Sequence, residues 1–208
     1  GRRMLKSMFD GVMERRASQL MQEVGAWLPA EGPVLDLGSG TGHLSARLER
    51  EREIEVVTAD VSDMHVVGRP PVLIGDGALP FRERTFSAAL LIFMLAYPSD
   101  PAGVLAEAAR VTRGPIILVQ TLYSGRLGYA WHRGREFFWT VVAFHASKLL
   151  GYVPPEAKFS MRTRRFYTVQ ALQRDVAAAG LRIRARRARP VLPGGALVVA
   201  AWMLERDD

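Results

Sequence analysis

The sequence predicts an α/β fold built on a doubly wound, mostly parallel sheet, and three observations carry that expectation. Pro33-Val34-Leu35-Asp36-Leu37 runs directly into Gly38-Ser39-Gly40-Thr41-Gly42 and then into helical spacing at Leu44, Ala46 and Leu48, which reads as strand, tight loop and helix. Apolar runs recur over residues 53–60, 71–74, 87–94 and 116–121, with helical or loop-forming stretches between them, the alternation expected of a parallel sheet. The tail offers a helix over 168–179 with Gly180 as its stop, a strand over 181–187, a Pro/Gly turn over 190–195 and a strand over 196–204. That last pair brings the expected strands to seven and closes the sheet antiparallel.

Length and composition set the outer bounds. A chain of 208 residues, 49% apolar and 24% charged, has the size of one well-buried domain with an insertion. The expected organisation is a single domain over 1–208, with a helical lead-in over 1–30 and a helical insertion over 122–167. A net charge of +7 and a pI near 10.3 attract nucleic acid, anionic lipid or an acidic small molecule without choosing among them. The sequence has no cysteine, which excludes disulfides, thiolate metal sites and covalent thiolate mechanisms. No metal site is expected. No apolar run approaches the roughly 18 residues of a membrane span, so the expectation is a soluble or peripheral, cytoplasmic protein.

Taken in order, residues 5–28 carry Met8, Val12, Leu20, Met21, Val24 and Leu28 at mostly three-to-four spacing, an amphipathic helix that Pro29 and Pro33 end. Gly38, Gly40 and Gly42 let the backbone turn sharply and approach a ligand with no Cβ in the way. Asp36 sets a negative charge beside that loop, and the start of the 43–52 helix offers unpaired N–H groups to a carboxylate. Asp60 ends the second strand about 24 residues after Asp36, close to where a doubly wound fold carries an acid for ribose hydroxyls. A short helix is expected over 62–67 before Gly68-Arg69-Pro70-Pro71. Strand four is apolar enough to be buried on both faces. Asp100-Pro101 reads as an N-cap with proline at the first helical position.

The glycine spacing separates two nucleotide-binding patterns. A dinucleotide fingerprint carries its third glycine three residues after the second, where this chain has His43. Gly-x-Gly-x-Gly preceded by Asp36 instead resembles motif I of the class I S-adenosylmethionine-dependent methyltransferases, and the chain looks most like their type-11 group. Residues 75–101 are similar to the matching family segment: an acid after strand three, Leu79-Pro80-Phe81, an aromatic Phe86, an apolar strand and Asp100-Pro101. The resemblance implies a Rossmann-like seven-stranded sheet with an antiparallel closing strand, and S-adenosyl-L-methionine as cofactor. It implies a cofactor site of Asp36, Gly38, Ser39, Gly40, Thr41, Gly42, Asp60, Val61, Asp76, Gly77, Ala78 and Ile92, with Asp76 on the adenine amino group and Gly77 or Ala78 against the ring. It also implies that the leading helix can close over the cofactor, although a helix packed on the sheet edge fits the same residues. Ser87 stands where the family commonly has Asp, and Ala96-Tyr97 stands where many relatives carry histidines. Leu91-Ile92-Phe93-Met94 lacks the Asn/Asp-Pro-Pro-aromatic signature of adenine-N6 and glutamine methylation.

Substrate is left to the parts outside the resemblance. Tyr97 and Tyr123 follow central strands at the edge where open α/β sheets bind ligands. With His132 they are the candidate catalytic residues, and His145 is a further histidine in the insertion. The centre of the insertion, residues 135–150, is apolar around most of a helix and must be covered by a lid contact, a membrane interface or a second copy. Arg182, Arg184 and Arg186 alternate with Leu181, Ile183 and Ala185, which predicts one basic face on a strand. The leading expectation is methyl transfer to a small, fairly apolar acceptor with an acidic group. RNA methylation, favoured by the pI, and a non-catalytic cofactor-binding module are the alternatives, and the sequence leaves the oligomeric state open.

Overall fold

A computed structural model describes residues 2–75, 77–138, 141, 144–149 and 163–207. The strands in chain order are β1 (Val34–Leu37), β2 (Val56–Asp60), β3 (Val72–Leu73), β4 (Ala88–Ile92), β5 (Ile116–Tyr123), β6 (Leu181–Pro190) and β7 (Leu197–Arg206). The helices are α1 (Arg2–Val24), α2 (His43–Arg52), α3 (Pro101–Val111), α4 (Gly125–Phe137), α5 (Phe144–Leu149) and α6 (Val169–Ala178). The strand order is β3-β2-β1-β4-β5-β7-β6. The pairs from β3 through to β5 are parallel, and β7 runs antiparallel to both β5 and β6. The chain leaves β1 for β2 on one side and returns to β4 on the other, so a crevice opens at the carboxyl ends of β1 and β4.

Burial explains why the central strands read as continuous apolar runs. All four residues of β1, and all of β4 except Ile92, are buried, because helices cover both faces of the sheet. One core layer joins Leu35, Leu91 and Leu118 to Leu105 of α3 and Leu172 of α6. The other joins Val34, Leu90 and Val119 to Leu20 and Val24 of α1 and Leu48 of α2. Side-chain caps fix the helix starts: Asp100 accepts from the Gly103 amide at 2.9 Å, and the Thr168 hydroxyl accepts from the Ala171 amide at 3.2 Å.

Three details depart from the sequence expectation. Residues 62–67 form no helix; the Asp63 carboxylate accepts the His65 amide at 3.1 Å, and the Val66 amide donates to the Thr41 carbonyl at 3.1 Å, which ties the stretch to the glycine loop instead. Strand four stops at Ile92 because Phe93 turns into the left-handed region, φ 55°. The single basic face on β6 does not form either. A bulge at Arg184 pairs Ile183 with Leu204 but Ala185 with Met203, which reverses the alternation beyond it. Arg186 therefore sits over the Trp202 ring at 5.9 Å, while Arg187 faces α1, where it lies over Trp27 and donates to the Glu23 carbonyl at 2.6 Å.

Candidate active site

The loop between β1 and α2 is shaped by two acids below it. Asp36 is buried in β1 and accepts a short hydrogen bond from the Ser45 hydroxyl. Burial raises its carboxyl to a pKa of about 6, against the opposing pull of that hydrogen bond. Asp60, also buried, accepts the Gly40 amide at 2.9 Å on Oδ2 and the Ser62 amide at 3.4 Å on Oδ1. Each carboxylate oxygen keeps acceptor capacity for a hydroxyl donor.

The glycines of the loop do different jobs. Gly38 has φ 77°, and a Cβ there would lie 2.8 Å from the Met94 Cβ, so the loop passes tightly under the turn that follows β4. Gly40 has φ 58° with open space where its Cβ would be, so its bare backbone faces the crevice. A Cβ on Gly42 would meet the Val67 carbonyl, and Gly42 packs the loop against the 62–67 stretch rather than facing the crevice. Ser39 and His65 share a hydrogen bond at 2.8 Å, as do Thr41 and His43 at 2.9 Å, so both hydroxyls of the loop are held by imidazoles, of which His43 itself lines the cleft.

These elements border a cleft of about 1070 Å³. Its described lining includes Asp36, Gly38, Ser39, Gly40, Thr41, Asp60, Val61, Gly77 and Ile92, which the structure thus brings together. Ala78 is exposed and outside that lining, and Asp76 lies outside the described residues. The Leu79 amide donates to Glu107 at 2.7 Å, while Arg110 binds Glu107 and the carbonyls of Leu79 and Phe81. This clamp fixes the turn after β3 to α3.

Of the candidate catalytic residues, Tyr97 lines the cleft and the other two do not. Tyr123 is half-buried with its ring 5.2 Å from Tyr129. His132 stands edge-on to Phe166 at 4.8 Å, and burial, with the nearby Arg135 charge, pushes its pKa down to about 4. The two form an aromatic cluster with Tyr129 and Phe166 behind the segment that carries Thr163 and Arg164 to the cleft.

The opposite wall is the leading helix, as the resemblance implied, but Met13, Arg16 and Ala17 were not singled out in the sequence. Met13, Arg16, Ala17 and Leu20 of α1 line the cleft, so the leading helix covers it as well as packing on the sheet. The Arg16 guanidinium lies over the Phe93 ring at 4.4 Å. Met8 and Val12, expected on the buried face of α1, are exposed, and only its later part, from Ala17 on, is buried; Arg16 lies one residue before Ala17, but its ring partner is 77 positions away, and no local pattern pairs them. His65, the partner of Ser39, was hidden for the same reason. Among the described residues no group of acids and histidines could hold a metal ion, and no helix is long and apolar enough to cross a membrane.

A sheet of this strand order, with a glycine loop between two buried acids at its switch point, is the architecture of a class I methyltransferase domain. The profile of the methyltransferase domain family matches residues 9–186, and the chain belongs to that family. S-adenosyl-L-methionine is its methyl donor, and the chain is a methyltransferase. It is 30% identical over 186 residues to an uncharacterized methyltransferase of Mycobacterium tuberculosis, spanning 76% of this chain and 75% of that one. A demethylmenaquinone methyltransferase of Corynebacterium kroppenstedtii is 41% identical over 85 residues, which span 38% of this chain and only 37% of that relative. The solved structure of a geranyl diphosphate methyltransferase in complex with S-adenosylmethionine shares the fold, with a TM-score of 0.58, 15% identity, and coverage of 93% of this chain and 85% of that one.

Proposed function

We propose that the protein methylates a small, mainly apolar acceptor that carries an acidic group. The observation that supports this most is the wall formed by Arg16 over Phe93. It sets a cation against an apolar, aromatic surface where β4 ends, beside the glycine loop. A second cation, Arg164, lines the same cleft. At about 1070 Å³ the cleft lies just above the range of roughly 300–1,000 Å³ common for one small ligand, room enough for donor and acceptor together. The demethylmenaquinone acceptor in the name of one relative is of similar apolar character.

In this reading Asp60 holds the ribose hydroxyls of the donor and the Gly38–Gly42 backbone lies along it. Asp36 supplies charge opposite its cationic end, Val61, Gly77 and Ile92 flank the adenosine, and Asp76 takes the adenine amino group. The bound donor supplies an activated methyl group. What the chain itself does is align the acceptor, hold its acid on Arg16 and exclude water with α1. Where the acceptor must lose a proton, Tyr97 is the candidate cleft residue with reach, since His132 and Tyr123 stand outside the lining.

RNA as acceptor is less well supported. Arg182, Arg187 and Arg189 of β6 are engaged by Glu205 and Glu23, and Arg186 by Trp202, so the basic strand is largely spent on its own fold. The experiment is Arg16→Met assayed with matched acidic and neutral acceptors. The expected result is a KM at least about tenfold higher for the acidic acceptor, with unchanged kcat and unchanged S-adenosylhomocysteine affinity. Equal effects on both acceptors would remove the acidic group from the proposal.

A further inference from the structure

Helix α4 has its polarity reversed. Its inner side carries Gly128, where a Cβ would run into the Ala196 carbonyl, and His132, which packs on Phe166; Arg135 and Glu136 are partly buried on the same side. Its outer side carries Leu127, Trp131 and Phe137, which are 74%, 52% and 61% exposed. At 100° per residue these three fall within an arc of about 120°, a spacing that normally faces a core. Here water would face it. A contiguous apolar, aromatic face that polar residues do not interrupt marks a surface that is covered in use.

Charge indicates what covers it. Arg126 and Arg133 sit together along one edge of the apolar arc and are exposed, as is Lys148 of α5, while the single acid of α4, Glu136, is partly buried. A second copy of the chain would bring these cations against their own like, and the helix is too short to span a bilayer. An aromatic and aliphatic stripe edged by cations is what an in-plane helix needs at the boundary between anionic headgroups and acyl chains. We propose that the outer face of α4 docks on an anionic lipid bilayer.

The inner side of α4, behind the docking face, packs on the segment that borders the cleft. Phe166, packed against Tyr129 and His132 of α4, lies two residues beyond Arg164, which lines the cleft, and the Arg164 amide donates to the Ala96 carbonyl next to Tyr97. A protein resting on α4 therefore holds the segment bordering its cleft close to the lipid surface. Building on the proposed apolar acceptor, the acceptor class becomes an amphiphile that resides in the membrane, its apolar part in the acyl phase and its acidic group in reach of Arg16.

The test is flotation of the full chain with vesicles of phosphatidylglycerol and phosphatidylcholine, beside vesicles of phosphatidylcholine alone. Binding to the anionic vesicles, falling at least about tenfold in neutral vesicles and in a Leu127→Ser/Trp131→Ser variant whose S-adenosylhomocysteine affinity and circular dichroism are unchanged, is the expected result. Absence of anionic-vesicle binding, equal binding by the variant, or a dimer in light scattering that the same variant dissociates would overturn it. Turnover of a water-soluble acceptor analogue separates the two readings: vesicle binding without any turnover counts against the proposed acceptor and leaves the docking in place, and turnover without vesicle binding does the reverse.

Discussion

The Gly40 amide donates to the Asp60 carboxylate at 2.9 Å, so the acid that ends β2 fixes the conformation of the loop that follows β1. Two residues 20 positions apart along the chain, at the ends of strands that are neighbours in the sheet, thereby build one surface. Asp60 shapes the loop, and in the proposed site it also meets the ribose.

Asp60→Ala should therefore weaken S-adenosylhomocysteine binding by about 1–3 kcal/mol, through lost ribose hydrogen bonds and a looser loop. Isothermal calorimetry on folded variant protein measures this. An unchanged affinity would move the ribose elsewhere.

In the proposed site Asp36 makes donor binding pH-dependent. Its carboxyl titrates near 6 in the fold against an ordinary value of 3.8, so between about pH 4 and 6 the folded chain holds a proton that the unfolded chain has released. The stability from this group is present below about pH 4 and is lost as pH rises through about 6. A cationic donor prefers the ionised form, so its affinity should fall as pH drops below about 6, by up to tenfold per unit. Calorimetry across pH 5 to 7.5 should show this slope for the parent protein and a flat, weaker profile for Asp36→Asn. A flat parent profile would disconnect Asp36 from the donor.

The two loop glycines should respond differently to alanine. At Gly38 a Cβ meets Met94 at 2.8 Å and the positive φ is unfavourable as well; at Gly40 the Cβ has open space and only the φ penalty remains. Gly38→Ala should cost about 2–4 kcal/mol in urea unfolding and Gly40→Ala about 1 kcal/mol. Equal losses would mean that the approach to Met94 is not what requires glycine there.

The fold was legible wherever one segment carried its own signal. Asp100-Pro101, Thr168 and Gly180 state their caps locally, and the buried strands β1, β4 and β5 are apolar except at Asp36, Gln120 and Thr121 because both faces are covered. What was not legible depends on pairings between distant segments. The bulge at Arg184 is a register property of β6 against β7, so a strict alternation of three arginines gave the wrong face. The 62–67 stretch has helical composition, but its Val66 amide is taken by Thr41. The acidic and glycine side of the cleft could be foreseen from spacing, whereas the Arg16 and Phe93 wall arises only when α1 folds back over the end of β4. The stretch expected to need a cover, residues 135–150, lies partly outside the described residues, and it is the preceding helix, α4, that turns Leu127, Trp131 and Phe137 outward.

The measurement that bears most directly on the site is a crystal structure with S-adenosylhomocysteine bound. The account predicts ribose hydroxyls on Asp60, the ligand backbone along the loop from Gly38 to Gly42, and its sulfur directed into the space bordered by Arg16, Phe93 and Tyr97. Ligand density that avoids the β1–α2 loop, or a sulfur directed away from the α1 wall, would contradict it.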